Sequence, residues 1–397
     1  MKVFQINSVC GVGSTGRIAC DIKQTLEANS DKCQIAYGRG FYDDPDCLKI
    51  ESDLVFKAHV FFSRITDRQG FYSTAATKRL VHSIKHFDPD IIHLHNIHGY
   101  YLDIRVLFDF LKSYGKPVVW TLHDCWAFTG HCAYFSFVNC DKWKTGCGQC
   151  PQKRAYPSSF ILDDSKKSYS EKKRLFTAVP NMSIVTPSNW LNTLVKQSFL
   201  GDFPVYTINN GIDLSVFHPV ESSFKQKHNL TNKKLILGVA NVWEYRKGLD
   251  DFLSLSKLLD SNYKIVLVGL SEKQISALPS NIMGITRTDN VNELVELYSA
   301  ADVFVNTTKE DNFPTVNIEA IASGTPVVTY DTGGSGEMLN NKCGVVVPTG
   351  DVNALARAIE SIDLKPEDCV ERAKDFEKSK QYNLYMELYK NILNSGC

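Results

Sequence analysis

The sequence predicts an α/β protein of two doubly wound, Rossmann-like domains facing each other across a cleft, and three observations carry that prediction. Its 397 residues exceed what one core usually organises, at about 100–200 residues per domain. Short apolar runs recur along it, each followed by a turn signal and then a helical pattern. That pattern breaks near Val205–Pro219, where Asn209-Asn210-Gly211 and Pro219 interrupt it.

In the first half the apolar runs are Lys2–Ile6, Gln34–Tyr37, Ile91–His95, Val118–Leu122 and Ser183–Thr186. In the second they are Leu235–Ala240, Lys264–Val268, Val303–Asn306, Pro326–Thr329 and Gly344–Val347. Continuous Val, Ile and Leu runs without polar alternation read as strands buried on both faces of a parallel sheet. Gly16–Ala28, Leu249–Leu259, Val291–Ala300, Thr315–Ser323 and Val352–Ser361 read as helices between them. The expected boundaries are 1–205 for an N-terminal domain with a cysteine-rich insertion at about 125–157, and 206–378 for a C-terminal domain. A terminal helix over 379–397, with Tyr385 and Tyr389 one turn apart, is expected to pack back on the first domain. Ligands of doubly wound sheets bind beyond the C-terminal ends of strands, so two such domains place the site in the cleft.

Hydrophobic residues make up 43% of the chain and charged residues 22%, an ordinary globular balance. A formal net charge of zero argues against a nucleic-acid partner. Residues 1–205 hold 25 Lys and Arg against 19 Asp and Glu, and the rest hold 19 against 25. A basic first half and an acidic second half suit two lobes with different partners. Met1–Val9 reads as a strand rather than an export signal, and no run approaches the ~18 apolar residues of a membrane span. A cytoplasmic protein is expected, whose twelve cysteines then read as thiols or metal ligands rather than disulfides.

The densest chemical signal is Thr308–Glu337. A strand ends near Asn306, a turn carries Glu310, Asp311 and Asn312, and a helix opens at about Thr315. The first N–H groups of that helix lack partners and carry the positive end of its dipole, which suits a diphosphate. Phe313, Pro314, Thr315 and Val316 form this entry. Glu319, one turn further in, can accept two hydrogen bonds from a ribose diol, and Asp311 can hold the hydroxyls of a sugar. Arg246 and Lys247 stand at a second strand–helix turn, within Gly238–Leu249. There Arg grips phosphate bidentately and Lys acts as a point charge. Arg287 is counted with them as donor-binding.

In the first half, Cys10-Gly-Val-Gly13-Ser-Thr-Gly16-Arg17 follows a strand and opens a helix. Its glycines let backbone approach phosphate or sugar closely, although the spacing is not a dinucleotide fingerprint. His95-Asn96 and His123-Asp124 each end a strand and are candidate cleft residues. Cys132, Cys140, Cys147 and Cys150 cluster in sequence, and Cys147-x-x-Cys150 has the turn spacing of a zinc knuckle. A structural zinc is expected to brace a loop too polar and aromatic to hold itself, with His131 or Cys125 as substitute ligands and free thiols as the alternative. Finally, Leu54–Phe87 interleaves Phe56, Phe61, Phe62, Phe71 and Tyr72 with Lys57, Arg64, Arg68, Lys78, Arg79 and Lys85. Such a stripe suits a membrane surface or a lipid-linked acceptor, or else core plus solvated face.

The Thr308–Glu337 stretch resembles the C-terminal domain of the family-4 retaining glycosyltransferases, with two acidic residues eight positions apart and a Gly-Thr-Pro-Val-Val strand after them. In that alignment Glu319 is the second acid. Asp311 takes the first position, where the family usually has Glu, and Glu310 is the neighbouring alternative. Lys247 falls on the family's Lys-Gly position. Its Arg position is Val242 here, and Arg246 stands beside the lysine instead. The glycine loop with Gly13 and Gly16, His123 and His95 are similar to the family's cleft residues.

This resemblance spans nearly the whole chain and implies the GT-B fold. It implies a UDP- or GDP-linked sugar donor held mainly by the C-terminal lobe, and a saccharide or lipid-linked acceptor held by the N-terminal lobe. It implies retention of anomeric configuration, by a front-face displacement with His123, Asp311 and Lys247 as catalytic residues, in bacterial polysaccharide biosynthesis at the inner face of the membrane. No Asp-x-Asp motif stands beside the phosphate-binding residues, so no catalytic metal is expected. A nucleotide-sugar epimerase of the same fold and a non-catalytic nucleotide-sugar-binding protein are the alternatives; a nicotinamide enzyme fits less well.

Overall fold

The computed structural model describes residues 1–395. It forms two compact units, Met1–Asn209 together with the chain from Gln381 on, and Asn210–Lys380. The first unit is built on a sheet of β1 (Lys2–Val9), β2 (Lys32–Arg39), β3 (Cys47–Lys49), β4 (Ile91–Leu94), β5 (Val118–Thr121), β6 (Met182–Thr186) and β7 (Val205–Thr207). Its order is β3-β2-β1-β4-β5-β6-β7, parallel throughout. The second unit contributes β8 (Lys234–Val239), β9 (Tyr263–Val268), β10 (Ile282–Ile285), β11 (Val303–Asn306), β12 (Val327–Tyr330) and β13 (Gly344–Val347). They run in the order β10-β9-β8-β11-β12-β13, again all parallel.

Successive residues of a strand point to opposite faces, and here both faces are covered. Phe4, Ile6, Ile92 and Leu94 enter one core of the first unit. Val3, Ile35, Ile91, Val119 and Val185 enter the other, which Tyr382, Tyr385, Met386 and Tyr389 of the helix Lys378–Ser395 close. The second unit repeats the arrangement, with Leu235, Leu237 and Phe304 on one side of its sheet and Ile236, Leu267 and Val305 on the other. Double coverage explains why these strands read as unbroken apolar runs.

Three strands gave no readable run: β3, β7 and β10. Each is an edge strand of three or four residues. An edge strand pairs on one side only and need not be apolar; β7 is half-buried or exposed throughout, and β10 is interrupted by Gly284.

Strand order reverses at the first strand of each unit. β1 lies between β2 and β4, and β8 lies between β9 and β11. The loops after β1 and β4, and those after β8 and β11, therefore diverge and leave a crevice at the strand ends. Among the described residues no helix is long and apolar enough to cross a membrane.

Candidate active site

The charged residues of the second unit meet at its strand-order reversal. Gly248, at φ +74°, leads from the turn Tyr245–Lys247 into the helix Leu249–Leu258. A Cβ there would stand 2.3 Å from the Thr307 carbonyl oxygen, so the position requires glycine. The Thr307 hydroxyl lies 2.9 and 3.0 Å from the carbonyl oxygens of Lys247 and Gly248, and the Lys309 amide donates to the Arg246 carbonyl at 2.8 Å. These bonds tie the loop after β8 to the loop after β11. Across that seam Lys247 Nζ lies 2.6 Å from Asp311 Oδ2. Arg246 donates to the Glu310 carbonyl at 2.7 Å and stands 4.0 Å from Asp311 Oδ2. Burial alone would push the Asp311 carboxyl up, but Lys247 and then Arg246 outweigh it and hold it below the ordinary carboxylate value.

The helix Thr315–Ala322 opens beside this pair. Its preceding residue, Pro314, is extended and supplies no side-chain cap, and its first turn holds no acid, so the helix start keeps its positive character. Asn306 Nδ2 donates to Asn317 Oδ1 at 2.8 Å, and Asn317 Nδ2 donates to the Ser335 carbonyl at 3.0 Å. The first bond fixes the helix against the end of β11, and the second against the loop after β12. Glu319 is buried and accepts a bond of 3.0 Å from the Tyr298 hydroxyl. Thr315 and Val316 are half-buried. The Phe313 side chain belongs to the core, 5.9 Å from the Phe376 ring, which restricts its part in ligand binding to its backbone. Arg287 is exposed beyond β10, two strands from β8.

In the first unit, the glycine loop and two histidines gather at the ends of β1, β4 and β5. Gly11 has φ +67°, and a Cβ there would lie 2.2 Å from the Tyr42 ring. Gly13 opens the helix Gly13–Ala28, and Gly16 is buried within it. His95 Nε2 is 2.8 Å from Gln5 Oε1, and His95 Nδ1 is 3.2 Å from His123 Nε2. Behind them His93 bonds to Thr121 and to the Tyr389 hydroxyl at 2.8 and 2.7 Å. Beside them His98 lies 2.8 Å from Asp124. Burial pushes the imidazoles of His93 and His123 down to about 3 and about 4, so both are neutral near pH 7 and serve as hydrogen-bonding groups rather than acids. The half-buried Asn96 is held through its amide N–H, 3.3 Å from Asn7 Oδ1. Gln5 and His98 escaped the sequence reading, while the helix bearing Tyr385 and Tyr389 packs on the first unit as expected. The one available signal was a glutamine within the first strand, between Phe4 and Ile6.

The structure narrows two expectations. The cysteine loop holds itself. Trp143, only 1% exposed, packs on Phe135 and Phe128 with ring centroids 5.0 and 5.3 Å away. Lys172 bonds to the carbonyls of Trp126 and Thr129 at 2.8 and 3.2 Å. Cys132, Cys140, Cys147 and Cys150 do border one cavity. Yet among the described residues no three His, Cys, Asp or Glu side chains are arranged to hold a metal ion, and the free Cys132 and Cys150 thiols share a hydrogen bond. The structure gives the expected zinc no support. The aromatic–basic stripe also divides: Phe71 is buried and the helix Thr74–Phe87 sends Leu80 and Ile84 into the core. The helix Asp53–Thr66 remains, and it buries only His59 and Ser63.

Comparison with known proteins gives these features a common setting. Residues 36–216 match Glycosyltransferase Family 4, and residues 220–381 match Glycosyl transferases group 1. The chain is 24% identical over 372 residues, 90% of each chain, to the putative colanic acid biosynthesis glycosyl transferase WcaC of Escherichia coli K12. Its fold is similar to that of sucrose-phosphate synthase from Thermosynechococcus elongatus, with TM-score 0.72 and 17% identity over the whole of both chains. It is also similar to Anabaena HepE in complex with UDP, with TM-score 0.65 and 13% identity, covering 98% of this chain and 100% of that one. The chain belongs to the family-4 retaining glycosyltransferases and has their GT-B fold.

Proposed function

We propose that this glycosyltransferase moves a sugar from a UDP- or GDP-sugar onto a saccharide or lipid-linked acceptor during polysaccharide assembly. The second unit holds the donor and the first presents the acceptor. The observation that carries this reading is the meeting of Lys247 and Arg246 at Asp311, four residues before the uncapped start of the helix Thr315–Ala322. Lys247 has three donors; Asp311 takes one and orients the ammonium, leaving the others for a phosphate. As the bond from the anomeric carbon to the diphosphate breaks, negative charge grows on the leaving oxygen. The cations and the Thr315 and Val316 amides stabilise it. The acceptor oxygen attacks from the same face, and its proton passes to the departing diphosphate. These groups supply the charge that a divalent cation would, so transfer is proposed to run in a chelator. Glu319, its carboxylate fixed by Tyr298, would take the ribose hydroxyls. The colanic acid relative supports polysaccharide as the product class, and the UDP complex of HepE supports a uridine donor.

A membrane-linked acceptor has its own support. The helix Asp53–Thr66 turns Leu54, Phe61 and Phe62 outward, with Leu54 80% exposed. The exposed Phe160, Ile161 and Leu162 lie alongside, since the amides of Phe160 and Leu162 donate to the carbonyls of Arg64 and Ile65. The exposed Lys57 and Arg64 border the patch. Apolar insertion next to cations suits an anionic lipid surface, which would place the enzyme at the inner face of the membrane.

A panel of nucleotide-sugars tests the reading, first by thermal shift and then by transfer to saccharide and lipid-linked acceptors. A UDP- or GDP-sugar should raise the melting temperature of the wild type and not of Lys247→Ala, and should be consumed only with acceptor. Conversion of the donor without acceptor, or no stabilisation by any donor, would overturn it.

A further inference from the structure

Three thiols of the first unit lie against one another at the end of β1. Cys10, in the loop after that strand, has its Sγ 3.5 Å from Cys20 Sγ and 3.5 Å from Cys47 Sγ. Cys20 stands on the helix Gly13–Ala28, Cys47 opens the edge strand β3, and all three are free. Their surroundings give them different parts. Cys47 hydrogen-bonds to the Asp44 carboxylate, which lies below its ordinary value and so only accepts; Cys47 therefore keeps its proton. Cys20 Sγ is faced by two fixed donors, the Tyr42 hydroxyl and the Gly11 amide. A sulfur so placed holds negative charge best, and the single proton of Cys10 goes to it rather than to the protonated Cys47. The Cys10 bond first, then those of Tyr42 and Gly11, pull the Cys20 thiol down to about 7 against its burial, while the same bond raises Cys10.

Access is narrow but present. Cys20 is 7% exposed, whereas Cys343 and Cys369 are wholly enclosed. Over this corner lies Tyr42, half-buried on the irregular segment 40–46, with its ring against Gly11. Movement of that one side chain admits a molecule as small as hydrogen peroxide.

We propose that Cys20 and Cys10 form a thiol site oxidised by peroxide, with Cys20 as the attacking sulfur and Cys10 as the resolving one, whose disulfide clamps the glycine loop Cys10–Gly16 to its helix. The Cys20 thiolate attacks one peroxide oxygen and the O–O bond breaks. Cys20 becomes a sulfenic acid, and the departing hydroxide takes up the proton that the thiol had released. Cys10 Sγ then attacks Cys20 Sγ, the S–O bond breaks, and water leaves with the Cys10 proton. Two thiols have lost two electrons and one peroxide has become two waters; a small dithiol reverses the change. The sulfurs close from 3.5 Å to about 2.05 Å. Cys10 directly precedes Gly11, so the contraction displaces the loop. That displacement bears on transfer only through the proposed function; the oxidation does not depend on it.

Peroxide treatment of the reduced full-length protein, followed by alkylation and peptide mapping, tests the site. Most molecules should become two hydrogens lighter with Cys10 linked to Cys20, and dithiothreitol should restore them. Cys10→Ser should stop at the sulfenic acid, which dimedone captures on Cys20, and Cys20→Ser should give neither product. Transfer by the wild type should fall about tenfold or more on oxidation, the scale of an ångström misplacement beside a site. It should return on reduction, and Cys20→Ser should be insensitive. A Cys20 left unoxidised while Cys140 or Cys150 reacts, or a Cys10–Cys20 bond that leaves transfer unchanged, would overturn the proposal. If a variant does not fold, the wild-type map still decides. A reduced protein that transfers no sugar but forms the bond would sink the functional reading and keep the thiol site.

Discussion

Lys247 and Asp311 form an ion pair of 2.6 Å that joins the loop after β8 to the loop after β11, the two strands flanking the reversal of the second sheet. The pair has two separable roles, holding the seam and presenting a cation. Lys247→Ala should lower transfer by about 10²–10³-fold, the usual loss for one donor to a developing oxyanion. It should also lower the melting temperature, because Asp311 is left without its main partner. Adding Asp311→Asn should restore the melting temperature but not the activity. Recovery of transfer in the double variant would contradict a direct role for the lysine.

Tyr298 and Glu319 give a second test. Tyr298→Phe removes the hydroxyl that donates to Glu319 Oε2 and leaves a buried carboxylate oxygen short of a bond. A destabilisation of about 1–3 kcal/mol is expected. Donor affinity should weaken more than kcat, because the ribose-binding carboxylate loses its fixed orientation. Isothermal titration with the nucleoside diphosphate measures this, and unchanged affinity would separate Glu319 from the ribose.

Gly248→Ala should act through the backbone. Its φ of +74° and the Thr307 carbonyl oxygen 2.3 Å from an added Cβ leave no relaxed position for the methyl group. The turn Tyr245–Lys247 would shift, and transfer should fall with the melting temperature. Circular dichroism should show the sheets retained. Full activity at wild-type stability would contradict the tight seam.

Acid should destabilise the first unit through its histidines. Burial pushes His59 and His93 down to about 3 and His123 to about 4, below the ordinary 6.5. Between 6.5 and those values the unfolded chain binds protons that the folded chain refuses. Stability is therefore full above about pH 6.5 and falls as pH drops toward 4. Urea unfolding from pH 4 to 8 reads this slope, and His93→Gln should flatten it.

The fold was legible where burial on both faces leaves continuous apolar runs, as in Leu235–Val239 or Val327–Tyr330. It was illegible at β3, β7 and β10, because an edge strand meets no such demand. The loop after β11 was readable because Asp311, Thr315 and Glu319 are local in sequence. The bonds around His95 and His93 were not, because Gln5 reaches the first and Tyr389 the second from opposite ends of the chain. The packing of the cysteine loop was illegible for a related reason: Trp143, Phe135 and Phe128 give it an apolar core that cysteine spacing does not reveal.

The most direct test is a crystal structure of the protein with UDP or GDP bound. The proposed donor site predicts the terminal phosphate within about 3 Å of Lys247 Nζ and of the first amides of the helix Thr315–Ala322, with the ribose at Glu319. A diphosphate bound elsewhere, with the Lys247–Asp311 pair untouched, would contradict it.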